Sequence, residues 1–183
     1  AMQAVDAGLV PLDTRVAAIE PRWSAPDRRE VTLRHLLDHS SGLPAHVKLY
    51  ESRGDIDAAV ARIAATPLAF APGTRAEYSD LGFILLGALL ERRFGRTLDH
   101  AFAPIAARLE GPLAYRPPEA WRARIAPTEV DPWRGRLLQG DVHDENAAAL
   151  GGVAGHAGLF GTAAAVGAFA RAVLQTETGD TWL

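Results

Sequence analysis

Apolar positions along the chain recur mostly at helical spacing, and polar residues between them supply start and stop signals. From Leu81 to Leu90 there is no polar face at all: Leu81, Phe83, Ile84, Leu85, Leu86, Leu89 and Leu90 occupy most sides. The spacing predicts a helix that opens at Ser79 or Asp80, runs to Phe94, stops at Gly95 and is buried all round. Asp55 caps a helix through Ala65 with Ile56, Val60 and Ile63 on one stripe, and Thr32 caps Leu33–Asp38, which ends in a turn at Ser41-Gly42-Leu43-Pro44. Met2, Val5 and Leu9 place Ala1–Ala7 in a helix that Gly8 stops, with no capping residue ahead of it. Thr97 opens Leu98–Leu109, where Pro104 is a kink or break, and Thr162 caps a last helix through Gln175.

Little else is regular. Leu9–Ala25, with Pro11 and Pro21, reads as extended or looped, and Thr66–Ala76 as a Pro/Gly loop. Pro112–Gly140 is irregular, with one short strand expected near Arg124–Thr128, and the glycine-rich Gly151–Gly161 is expected to be a tight turn. Period-2 alternation is nearly missing, so the chain reads as mainly α, with helices that need something to pack against.

Composition narrows the function. With 48% apolar residues in 183, the chain suits one globular domain and not a disordered one. A net charge of −3 without a Lys/Arg block argues against a nucleic-acid partner. Leu81–Leu90 is far shorter than the roughly 18 residues of a membrane span. Ala1 is not followed by a basic segment and apolar core, so no signal peptide is read and the compartment stays undefined. Cysteine is absent, which removes disulfides, thiolate nucleophiles and Cys-based zinc sites. Lys48 is the single lysine.

That lysine decides the nucleophile question. None of Ser24, Ser40, Ser41, Ser52 and Ser79 lies in G-x-S-x-G or begins S-x-x-K, because Ala45 stands three residues before Lys48. A Ser–His–Asp triad assembled from distant residues leaves no spacing signature. His143, Asp144, Glu145 and His156 form the one dense group of candidate metal ligands, but adjacent residues seldom converge on one ion. A polar loop with capping carboxylates is favoured there, and no metal or cofactor is expected. His35 and His39 stand i, i+4; one packed and one solvated histidine is favoured over a ligand pair.

Three segments carry a resemblance. Val31–Pro44, reading VTLRHLLDHSSGLP, closely resembles a signature of the serine beta-lactamase family, which includes class C beta-lactamases, D-alanyl-D-alanine carboxypeptidases and related esterases. Pro72-Gly73-Thr74 with Tyr78-Ser79-Asp80 and Leu81–Gly87 looks like that family's PGT…YSN…LLG segment. Gly151–Ala163, GGVAGHAGLFGTA, is similar to the stretch that precedes one of its helices. The segments keep the family's order and cover nearly the whole chain.

The resemblance implies the helical lobe of an α/β transpeptidase-like fold, with most of the central antiparallel sheet outside residues 1–183. It implies catalysis through three boxes: a nucleophilic serine in S-x-x-K, Tyr in Y-x-N, and K-T-G or H-x-G on an edge strand. Here the middle box is matched by Tyr78 as general acid/base, with Asp80 where asparagine is commoner. Asp80 accepts hydrogen bonds but cannot donate an amide N–H. The S-x-x-K box would sit about ten residues before Ala1, and the third box past Leu183; His156-Ala157-Gly158 fits H-x-G formally but lies in a strand-poor setting.

The expectation is therefore an internal fragment, inactive alone, of an exported hydrolase. Its parent would act through an acyl-serine on an amide, ester or lactam, and a small-molecule or cell-wall peptide substrate fits best. The fragment would associate through exposed apolar surface. A non-catalytic binding or scaffold domain that kept only the helical lobe is the alternative reading, and a metal-dependent hydrolase built on His143, Asp144 and His156 a distant third.

Overall fold

A computed structural model describes residues 1–52 and 54–176, which divide into two compact units. The first comprises Ala1–Arg96 with Ala154–His156. It holds α1 (Met2–Asp6), α2 (Leu33–Leu37), α3 (Ile56–Ala65) and α4 (Asp80–Phe94). The sequence dictates how each starts. Ser79 caps α4 by accepting from the Gly82 amide at 3.3 Å, and Gly95, at φ 64°, ends it in the left-handed conformation. The Asp55 carboxylate accepts from the Asp57 and Ala58 amides at 3.1 Å and opens α3. A capping box opens α2: Thr32 Oγ1 accepts from the His35 amide while His35 Nδ1 accepts from the Thr32 amide at 3.2 Å.

As its pattern requires, α4 is the axis of this unit. Leu81, Ile84, Leu85, Leu86, Leu89 and Leu90 are buried, and α1, α2 and α3 all pack on the helix. Each such side chain stabilises the fold by about 1.5–3 kcal/mol relative to exposure. In α1 the buried residue is Ala4, whereas Met2 and Leu9 are exposed; a small residue lets this short helix approach α4 closely. Leu9–Ala25 contains two 3₁₀ turns, Val16–Ala18 and Pro21–Trp23, where loop or extended chain was expected.

The second unit comprises Thr97–Val153 and the chain from Ala157. It contains α5 (Leu98–Ala106), β1 (Leu113–Tyr115), β2 (Val130–Asp131), β3 (Arg136–Leu137), α6 (Glu145–Ala149), β4 (Leu159–Gly161) and α7 (Ala163–Thr176). Pro104 lies inside α5 without breaking it at that point, but the helix ends at Ala106 and not at Leu109; the Arg108 and Leu109 amides make turn-type bonds to the Ile105 and Ala106 carbonyls. β1 and β4 pair antiparallel with Ala114 opposite Phe160, and β2 and β3 pair with Val130 opposite Leu137.

The strand expected at Arg124–Thr128 is not there. Arg124 ends a 3₁₀ turn, Glu119–Arg124, and the carbonyls of Arg122 and Ile125 are taken by the Gln139 side chain at 3.1 and 2.8 Å. Pro127 has no N–H, so pairing begins only at Thr128, whose amide donates to the Leu138 carbonyl.

One ion cluster ties the first unit together. Glu20, 2% exposed, accepts from Arg22 Nε at 2.6 Å and from Arg92 Nη1 at 2.6 Å, and Arg92 Nη2 reaches Asp57 at 2.6 Å. It thereby links a 3₁₀ turn, the start of α3 and the end of α4. Arg22 above all, and Arg92 with it, hold the Glu20 carboxyl at about 2 instead of 4.5, against the upward push of burial. A depressed carboxylate contributes stability that is complete above its unfolded value and is lost as pH falls through the folded one. Acid unfolding should therefore show a loss on the order of 3 kcal/mol from this group between pH 4.5 and about 2. Glu20→Gln should remove that part of the pH dependence and cost about 1–3 kcal/mol at neutral pH. Urea unfolding of both proteins across the acid range measures this, and parallel pH profiles would refute it.

Candidate active site

The site is built on the exposed end of the buried helix. Residues 38–46, after α2, and 69–80, leading into α4, are laced together by backbone hydrogen bonds: Ala69 to the Gly42 carbonyl at 2.7 Å, Gly73 to Ser40 at 2.8 Å, Glu77 to His39 at 3.0 Å and Asp80 to Ala45 at 2.9 Å. Gly42, at φ 84°, is required here, because a Cβ would drive into the Phe70 carbonyl. Ser79 fastens the corner: its hydroxyl donates to the Pro44 carbonyl at 2.8 Å while accepting the α4 cap bond.

Tyr78 stands on this corner, 68% exposed. Asp80, half-buried in the first turn of α4, faces His46, with Nδ1 3.4 Å from Oδ2. An acidic side chain at a helix N-terminus is favoured by the dipole.

His39 was paired by spacing with His35, and the structure separates them. His35 is spent on the α2 capping box, while His39 lies beyond the helix at φ 59°. Neither is the solvated partner the sequence suggested. The His39 ring lies 4.9 Å from Phe83, stacked at 29°, and 4.7 Å from Tyr78 at 41°. Its Nδ1 accepts from the Ser79 amide at 3.1 Å. His39 and His46 are the neighbours of Tyr78 and Asp80 that sequence reasoning missed; the one signal for His39 was a residue tolerant of positive φ just past a helix end.

Each serine with a hydroxyl partner here is used structurally. Ser40 donates to Asp38 at 2.5 Å, Ser41 is buried and accepts from the Leu43 amide, Ser52 takes the Arg62 guanidinium and Ser79 caps α4. Lys48 pairs with Glu51 at 3.5 Å, and the charges of Tyr50 and Glu51 hold its ammonium above its ordinary value.

Among the described residues no three His, Asp or Glu side chains are grouped to hold a cation. His143 faces Glu129 at 3.6 Å, and Asp144 caps α6 by accepting from the Ala147 amide at 2.7 Å. In the second unit a hollow of about 410 Å³ is lined by Arg116, Trp133, Arg134, Arg136, Asp141 and Phe160. Its arginines are matched by carboxylates: Arg116 by Asp99, Arg134 by Asp131, and Arg136 by Asp141 at 2.6 Å.

Gly155 shows how closely its segment approaches the same helix. A Cβ there would run into the Phe83 carbonyl and come within 3.1 Å of the Gly87 amide. Gly155→Ala should lower the midpoint of thermal unfolding, at a cost of about 1–3 kcal/mol from overpacking. Ser79→Ala should cost about 1–2 kcal/mol through loss of the cap and of the Pro44 bond. Calorimetry on both variants measures these, and unchanged midpoints would show that neither contact holds the corner.

The family model described as Beta-lactamase matches residues 1–182. The N-acetylmuramyl-L-alanine amidase of Bacillus subtilis (strain 168) is 34% identical over 151 residues, covering 70% of this chain and 34% of that protein. A putative D-alanyl-D-alanine carboxypeptidase of Escherichia coli (strain K12) is 31% identical over 173 residues, covering 78% of this chain and 38% of that protein. This chain thus spans about a third of the length of these relatives. The crystal structure of a penicillin binding protein from Bacillus halodurans superposes with a TM-score of 0.70 at 23% identity, over 96% of this chain and 56% of that one. The fold is shared, and the chain belongs to the beta-lactamase family.

Proposed function

We propose that these residues form the tyrosine-bearing helical part of a serine hydrolase that transfers or hydrolyses an acyl group through an acyl-serine. The observation that carries this is Tyr78: a phenol held exposed at the head of a buried helix, on a corner fixed by four backbone hydrogen bonds. Such a residue has the access and the fixed position that proton transfer needs. The nucleophilic serine and its lysine come from an S-x-x-K segment outside the 183 residues, since no serine here begins that motif. The third box and most of the central sheet likewise lie outside them.

In the reaction, the lysine of the S-x-x-K segment favours the Tyr78 phenolate, the serine oxygen attacks the substrate carbonyl and the phenolate takes its proton. Tyr78 then returns that proton to the leaving nitrogen or oxygen as the acyl-serine forms. Water repeats the sequence to release the acid. Asp80, held by His46, accepts a hydrogen bond from a substrate N–H, in place of the amide donor that asparagine would add. The amidase and carboxypeptidase relatives support an amide in a cell-wall peptide as substrate.

Two outcomes are expected. The 183-residue chain alone should take no fluorophosphonate or penicillin label above a heat-killed control. In a protein that carries an S-x-x-K serine together with these residues, Tyr78→Phe should lower kcat by about 10²–10⁴-fold. Stoichiometric labelling of Ser40, Ser41 or Ser79 in the shorter chain, seen by mass spectrometry, would overturn the assignment of the nucleophile.

A further inference from the structure

We infer that His39 is a positioning residue for Tyr78: it holds that tyrosine's backbone from both sides and its ring from one face. The inference rests on the acid/base role proposed for Tyr78. The amides of the two residues that flank Tyr78, Glu77 and Ser79, both donate to this one residue. The Glu77 amide goes to the His39 carbonyl at 3.0 Å, and the Ser79 amide goes to His39 Nδ1 at 3.1 Å. The Ala76–Glu77 and Tyr78–Ser79 peptide units, one before Glu77 and one after Tyr78, are thereby pinned to a single residue, and little freedom remains to swing the tyrosine on or off the corner.

The imidazole is itself fixed. It is stacked on Phe83 of α4 and has Tyr78 as its other ring neighbour, at 4.9 and 4.7 Å between centroids. Phe83 belongs to the most deeply packed helix of its unit, so the position of α4 is relayed through one ring to the tyrosine. An Nδ1 that accepts requires the neutral ring with its proton on Nε2.

The backbone carries a second sign of this role. His39 adopts φ 59°, a left-handed conformation that costs a residue with a Cβ on the order of 1 kcal/mol. Glycine would remove that cost but would supply neither the Nδ1 acceptor nor a ring. Asparagine tolerates the conformation and offers a side-chain oxygen at the same distance from Cα as Nδ1.

The test has a native arm and a variant arm. In the unaltered chain, NMR should detect a nitrogen–nitrogen coupling across the hydrogen bond from the Ser79 amide to His39 Nδ1; its absence with a protonated Nδ1 would overturn the inference. In the protein carrying the S-x-x-K serine, His39→Gly should keep its KM yet lose about 10–10²-fold in kcat, the effect of a displacement near 1 Å. His39→Asn should restore kcat to within about threefold of the native enzyme. If His39→Gly shifted only the midpoint and left kcat intact, His39 would be structural and the inference wrong. If Tyr78→Phe left kcat intact while the coupling was observed, the acid/base role of Tyr78 would fail and the hold on its backbone would stand.

Discussion

A helix that is apolar around its whole circumference is stable only when the chain surrounds it. α4 sets that requirement for the first unit: its leucines leave no face for water, so α1, α2 and α3 are arranged by the need to cover them. The same requirement ends at the helix N-terminus, where the first amides need partners and the side chain just ahead of the cap meets solvent. Ser79 meets the first need, and Tyr78 occupies the second position. A deeply buried axis with an exposed, capped end is a rigid mount for a group that must not wander.

The corner around that end is held mainly by backbone groups. Side chains on exposed loops hop between rotamers, whereas main-chain bonds at 2.7–3.0 Å between residues 39–45 and 69–80 fix the path of the chain. The left-handed turns at His39 and Gly42 are what allow residues 38–46 to fold back over the helix end. Local strain of about 1 kcal/mol at His39 persists because the bonds it permits outweigh it. Far from the corner, the Glu20 cluster locks the other end of α4 to the start of α3, so the helix is anchored at both ends.

How much of this was legible depends on whether the signal was local. Caps are local: Thr32, Asp55 and, of the pair Ser79 or Asp80, Ser79 make the bonds that a polar residue ahead of an apolar run predicts, whereas Thr97, read the same way, makes no side-chain cap bond to α5. The exposure of Tyr78 fits the same logic, because it precedes the cap. The 3₁₀ turns and the two-strand sheets were not legible, since each is too short for periodicity to register, and one of the sheets pairs residues far apart, Ala114 with Phe160. Pro127 moved the expected strand, and Pro104 sits inside a helix without breaking it. The role of His39 lay in a contact with residues 77–79, some forty positions away, which no spacing rule reaches.

The state of Ser79 shows why a serine beside the candidate acid/base is still not the nucleophile. Its oxygen accepts the Gly82 amide, and its proton is directed at the Pro44 carbonyl. A backbone carbonyl is a hydrogen-bond acceptor but far too weak a base to remove that proton, so the alkoxide character that attack requires cannot develop there. Freeing the hydroxyl would break the cap and the loop contact together, at a cost of about 1–2 kcal/mol, and would loosen the corner that holds Tyr78. Within this corner, then, a hydroxyl that fixes the geometry cannot also attack, and the acid/base role proposed for Tyr78 calls for a serine other than Ser79.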